Sequence, residues 1–168
     1  MAESLIVRTK RDGIITITDG TKTYVAAYEP GNFSADFPLE DVLLFLDRGV
    51  IGTTPSIRLG DDKPMTGAFS VYLRDMMDTA GSPTYTTIMD LSIVPTGRYV
   101  ASSWTSTIGS SSDVKTWTIQ FTVDGTFAGE SDKTMTFTFC TLRAKLAEGD
   151  PSMVDVSFTS YQVRPTFA

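Results

Sequence analysis

The segment Thr116-Trp117-Thr118-Ile119-Gln120-Phe121-Thr122-Val123-Asp124-Gly125 decides the fold class. Trp117, Ile119, Phe121 and Val123 recur at every second position, with Thr116, Thr118, Gln120 and Thr122 between them. Successive side chains of a strand point to opposite faces. This period therefore puts aromatic and aliphatic groups on one face and hydroxyl and amide groups on the other. Asp124-Gly125 ends the run with a pair suited to a tight turn.

The same reading extends outward in both directions. From Thr134 to Cys140, Met135, Phe137 and Phe139 oppose Thr134, Thr136 and Thr138, and Cys140 falls in phase with the threonines. Val154, Val156 and Phe158 mark a further strand. Toward the N-terminus, Ile15 and Ile17 alternate with Thr16 and Thr18; Asp19-Gly20 follows, and Thr23 to Tyr28 supplies the returning strand of a hairpin. Thr66 to Leu73 sets Ala68, Ser70 and Tyr72 against Phe69, Val71 and Leu73. One apolar face and one hydroxyl-rich face per strand is the pattern of an antiparallel sheet packed on a core, its other side wet.

The middle of the chain reads differently. Leu39 to Leu46 is either a strand or a short turn of helix, broken by Asp47-Arg48-Gly49. Gly60-Asp61-Asp62-Lys63-Pro64 is turn-rich. A helix is predicted over about Thr84 to Val94, capped by Thr84 or Thr86, striped by Ile88, Leu91 and Val94, and stopped by Pro95 and Gly97. Ser102 to Ser112, with Trp104 inside it, reads as a strand and a Ser/Gly-rich loop. One flanking helix among roughly seven to nine strands gives a mainly β, antiparallel, sandwich- or barrel-like fold. No fixed-period repeat appears and nothing separates two domains, so residues 1–168 are expected to form one domain.

Composition excludes several functions. The chain has no histidine, which removes the commonest general base and metal ligand and every Ser-His or Cys-His nucleophile pair. Its one cysteine, Cys140, cannot form an internal disulfide and reads as a small strand residue. No phosphate-binding glycine loop and no nucleophile elbow occur. Asp61 and Asp62 resemble the acidic pair of a polymerase hairpin, but no second acidic motif supports them, and a surface turn is the simpler reading. Asp75 and Asp78 are close enough in sequence to share a cation, and a solvated loop explains them equally well. Neither a catalytic site, a cofactor nor a metal is expected. The net charge of −6 disfavours gripping nucleic acid, which needs clustered Lys and Arg. The first residues lack the apolar stretch of a signal peptide, and no run approaches the ~20 apolar residues of a membrane helix, so no membrane partner is expected.

Asp47-Arg48-Gly49 followed by Gly60-Asp61-Asp62-Lys63-Pro64-Met65-Thr66-Gly67-Ala68-Phe69-Ser70-Val71 resembles the stretch DRG…GDD.P.TGSF.V of tail tube proteins of long, non-contractile-tailed phages. The order of the later elements is similar too, so the resemblance spans roughly residues 13 to 160. Many of those proteins carry an immunoglobulin-like C-terminal domain, which is not expected in these 168 residues. The resemblance implies a homohexameric ring that stacks into a tube, an inner barrel around the lumen, and a long loop reaching a neighbouring ring. It also implies the partners: the tape measure protein, the tail terminator, tail-tip proteins, and genomic DNA passing without specific binding. The expected location is the virion tail, assembled in the host cytoplasm.

The residues fit those implications. The segment of about 39–65 is too long for a hairpin turn. It carries Val42, Leu43, Leu44, Phe45, Asp47, Arg48, Gly49, Val50, Ile51, Gly60, Asp61 and Asp62, the expected inter-ring or inter-subunit residues; its apolar members would be costly exposed on a monomer. Thr116, Thr118, Gln120, Thr122, Thr134, Thr136 and Thr138 are the candidates to face the lumen. Competing readings are the inner tube of a contractile tail or injection system and a β-sandwich binding module, which would need an exposed aromatic platform around Trp104. A small enzyme would have to work with carboxylates or tyrosines alone.

Overall fold

The computed structural model describes residues 13–20, 23–26, 32–38, 42–45, 56–73, 88, 116–125, 131–162 and 164–168, with the backbone alone for 42–45 and 56–59. It has the expected class, mainly antiparallel β. The strands are β1 (Gly13–Thr18), β2 (Thr23–Ala26), β3 (Ser34–Asp36), β4 (Val42–Phe45), β5 (Ser56–Leu59), β6 (Met65–Tyr72), β7 (Trp117–Val123), β8 (Lys133–Ala147), β9 (Met153–Ser160) and β10 (Thr166–Phe167). The large sheet runs β2-β1-β7-β8-β9-β6-β3, with β10 also on β8, and β4 pairs with β5 in a second, two-stranded sheet. Of the predicted helix only Ile88 is described; it is helical and buried.

The β1–β2 hairpin forms as its Asp-Gly pair predicts. Thr18 pairs with Thr23, and Gly20 turns the chain at φ 93, a region open to glycine. Its N–H donates to Thr18 Oγ1 at 3.0 Å.

Strand β8 makes the corner of the sheet. Residues 133–140 pair with β7, and residues 140–147 pair with β9. Between these halves the register slips: Trp117 faces Cys140 while Ile119 faces Phe137, so β8 takes three steps for two on β7. The extra residue bends the strand and reverses which residues face inward. Phe139, with φ 53, is the only non-glycine residue at positive φ among those described. Two expectations are corrected here. Phe139 does not join Met135 and Phe137 in the core but is 43% exposed. Cys140 is not in phase with the threonines but is fully buried, and Leu142 two residues on is buried too.

This bend lets the two halves of the sheet face each other across an aromatic core. Phe121 of β7 stacks on Phe33 at 4.5 Å, Phe33 lies 6.0 Å from Phe158 of β9 and 6.4 Å from Phe69 of β6, and Phe158 meets Phe137 of β8 edge-on at 5.3 Å. Offset and edge-to-face geometries are those that aromatic rings prefer. Ile17, Ile119, Val71, Val154 and Val156 complete the buried set. Gly67 permits the approach of β9. A Cβ there would stand 2.5 Å from Phe158 Cε1 and 2.6 Å from the Ser34 carbonyl oxygen.

Candidate functional site

Two wet faces and one separate hairpin are what the fold offers. The first face covers β1, β7 and the N-terminal half of β8. Register places Thr16, Gln120, Thr136 and Thr166 in one row, Thr18 and Thr118 in the next, and Thr122 opposite Thr134. The Thr122 and Thr134 hydroxyls lie 3.0 Å apart and hydrogen bond. These rows hold no ionisable side chain, and the threonines and Gln120 within β7 and β8 are half-buried. The structure thus brings together five of the seven expected lumen candidates: Thr118, Gln120, Thr122, Thr134 and Thr136. Thr116 is corrected: it lies before β7 and is only 1% exposed, so it does not share this face. Thr138 sits at the bulge, where Gln162 Oε1 accepts from its N–H at 3.0 Å and from its hydroxyl at 2.7 Å.

The second face covers β3, β6, β9 and the C-terminal half of β8, and holds a groove of about 460 Å³. Its polar floor is a connected set. Ser70 Oγ donates to Asp155 Oδ1 at 2.6 Å and accepts from Asn32 Nδ2 at 2.8 Å, while Ser70 N–H donates to Asn32 Oδ1 at 2.8 Å. Ser70 is 7% exposed, so these bonds satisfy a hydroxyl that would otherwise be costly to bury. Arg143 and Lys145 line one wall, opposite Ser157 and Asp155 in the β8–β9 register. Sequence reasoning missed this face because it stopped the strand at Cys140. The signal was present: Leu142 and Ala144 alternate with Arg143 and Lys145 just as Val154 and Val156 alternate with Asp155 and Ser157.

The segment expected as an inter-subunit loop contains a strand pair. Val42 faces Leu59 and Phe45 faces Ser56, so the described part of Leu39 to Leu46, Val42–Phe45, is a strand rather than a helical turn. Among the described residues neither β4 nor β5 joins the large sheet. Gly60–Pro64 follows as an irregular connection into β6, with Asp61 and Asp62 exposed. Asp47, Arg48, Gly49, Val50 and Ile51 lie outside the described residues, as do Trp104, Asp75 and Asp78.

Burial pushes the Cys140 thiol up to about 12, with hydrogen bonding to Ser160 opposing the shift, so the thiolate is not formed at neutral pH. Among the described residues no three His, Cys, Asp or Glu side chains are grouped to hold a metal ion, and no helix is long and apolar enough to cross a membrane.

No protein-family model matches the sequence, and no curated protein matches it. Solved structures match its fold from end to end. The sheath/tube terminator of an extracellular contractile injection system, PVC, in its extended state, aligns at a TM-score of 0.57 and 10% identity over 99% of each chain. The anti-feeding prophage cap, a tube terminating cap, aligns at a TM-score of 0.54 and 10% identity over 100% of this chain and 94% of that one. The fold is therefore one shared with proteins that terminate tail-type tubes.

Proposed function

We propose that this chain is a structural subunit of a phage-tail-type tube, six copies closing a ring and rings stacking around a conduit for genome ejection. The end-to-end fold likeness to two tube-terminating proteins carries this reading. The chemistry of the faces agrees with it. A lumen lined by Thr118, Gln120, Thr122, Thr134 and Thr136 is wet but uncharged, and without Lys or Arg it offers phosphates nothing to hold. The β4–β5 hairpin, with its four consecutive apolar residues Val42 to Phe45, belongs against a neighbour, because a two-stranded hairpin alone is marginal in water. Among the described residues β2 and β3 end the large sheet, and ring closure is a way to cover such edges. In this role the protein performs no catalysis and meets the tape measure, terminator and tip proteins of a virion tail.

A second reading is the terminal ring itself, favoured because the two neighbours named above are terminators rather than wall subunits. Assembly separates the two. A wall subunit elongates into hollow tubes of variable length, seen by negative-stain microscopy and by light scattering that grows with time. A terminator stops at closed rings and caps tubes supplied to it. Protein that stays monomeric under all conditions, including with a tail initiator complex or preformed tubes, contradicts both.

A further inference from the structure

We propose that the groove across β3, β6, β9 and the C-terminal half of β8 receives the acidic Gly60–Pro64 turn of a second copy of this chain. The inference rests on the ring-and-tube reading above and names the surfaces that meet within it. Arg143 and Lys145 are exposed and two residues apart on β8, which sets them about 7 Å apart along one wall. Among the described residues neither is engaged in an ion pair. The one carboxylate beside them, Asp155, is held by the Ser70 hydroxyl at 2.6 Å. The wall therefore presents two cations against one anion.

The complementary feature is on the same chain. Asp61 and Asp62 are adjacent and exposed, ahead of Pro64, whose fixed φ stiffens the turn. They cannot fill the groove of their own subunit by the direct route. Met65 begins β6 beside Ser160, whereas the groove rows run through Ala68 and Ser70, three and five residues further along. At about 3.3 Å per residue those rows lie about 10 and 17 Å from the start of β6, with the turn beyond it. The contact is thus between copies and heterologous, the kind that closes rings or propagates stacks. Protein rather than DNA is the fitting occupant. The face without ionisable groups suits a DNA-facing wall, whereas Arg143 and Lys145 in the lumen would hold phosphate and slow its passage.

Charge exchange tests the pairing on the full chain. Arg143→Glu with Lys145→Glu is expected to raise the critical concentration for assembly at least about tenfold, since like charges then face each other. Asp61→Lys with Asp62→Lys is expected to do the same, and the four substitutions together to return assembly to within about threefold of wild type. All four residues are exposed, so circular dichroism and melting of each variant should match wild type. Assembly of the Arg143/Lys145 variant at wild-type concentration overturns the inference and leaves the tube reading standing. So does an exchange that fails to rescue, or a variant that assembles normally but loses retention of a DNA duplex. Wild-type protein that never assembles removes both.

Discussion

Gly67 offers the sharpest test of the packing described here. Its missing side chain is where β6, β3 and β9 come closest, with the Phe158 ring on one side and the Ser34 carbonyl on the other. Gly67→Ala places a methyl carbon 2.5 Å from the ring and 2.6 Å from the carbonyl oxygen, about 1 Å inside ordinary contact for both. The ring can tilt, but Ser34 is backbone in β3, paired with Ala68. Overpacking of this kind costs about 1–3 kcal/mol, and the stiffer unfolded chain returns about 0.4–1. The net loss is about 1–2 kcal/mol, or roughly 2–8 °C in melting temperature for a chain of this size. Gly149→Ala is the control, because its nearest neighbour is an ordinary 3.4 Å away, and it should stay within about 0.5 kcal/mol. Phe158→Ala alone should cost about 3–5 kcal/mol, since the ring is 2% exposed and touches three others. Adding Gly67→Ala to it should cost about 1 kcal/mol less than in wild type, because the ring clash is gone and only the Ser34 overlap remains. Urea unfolding of wild type and the four variants measures this. A Gly67→Ala variant as stable as the Gly149→Ala control, or strict additivity with Phe158→Ala, would refute the argument.

The remaining predictions concern the corner and the groove floor. With its thiol raised from 9.0 to about 12, Cys140 keeps its proton in the native chain where the unfolded chain loses it, so its effect is absent below pH 9 and stability falls from there toward about pH 12. The stability gap between wild type and Cys140→Ala should therefore narrow by about 2 kcal/mol between pH 7 and about pH 10.5, whereas a constant gap would contradict the burial. Phe139→Val should destabilise more than Phe139→Asn despite being more apolar, because a β-branched residue is poorly tolerated at φ 53; thermal melting showing the reverse order would place the bulge elsewhere. Ser70→Ala strips partners from Asn32 and Asp155 and should cost about 1–2 kcal/mol in urea, against less than about 0.5 for the exposed neighbour Ser157→Ala.

Period-2 alternation made most strands legible from sequence. Ile15 and Ile17, Trp117 and Ile119, and Val154, Val156 and Phe158 all face the core as read, because a pleated backbone allows no other sorting of apolar residues. The Asp19-Gly20 turn was legible for a local reason, the positive φ at Gly20. The uncharged character of the threonine face followed from the same alternation.

What alternation could not supply is a phase change. From Phe137 onward the inward set jumps from odd to even positions through the Phe139 bulge, and a bulge is specified by the partner strands on both sides, not by the residues that form it. For the same reason Thr116 read as wet and proved buried, and β3 and β10, three and two residues long, carry too short a pattern to show themselves. The groove with Ser70, Asp155, Arg143 and Lys145 exists only once β8 crosses from β7 to β9. Sequence alone determined a β-rich chain with polar strand faces and no histidine. The tertiary structure decided which strands share each face, because that depends on contacts between residues more than 70 positions apart, such as Ser70 and Asp155.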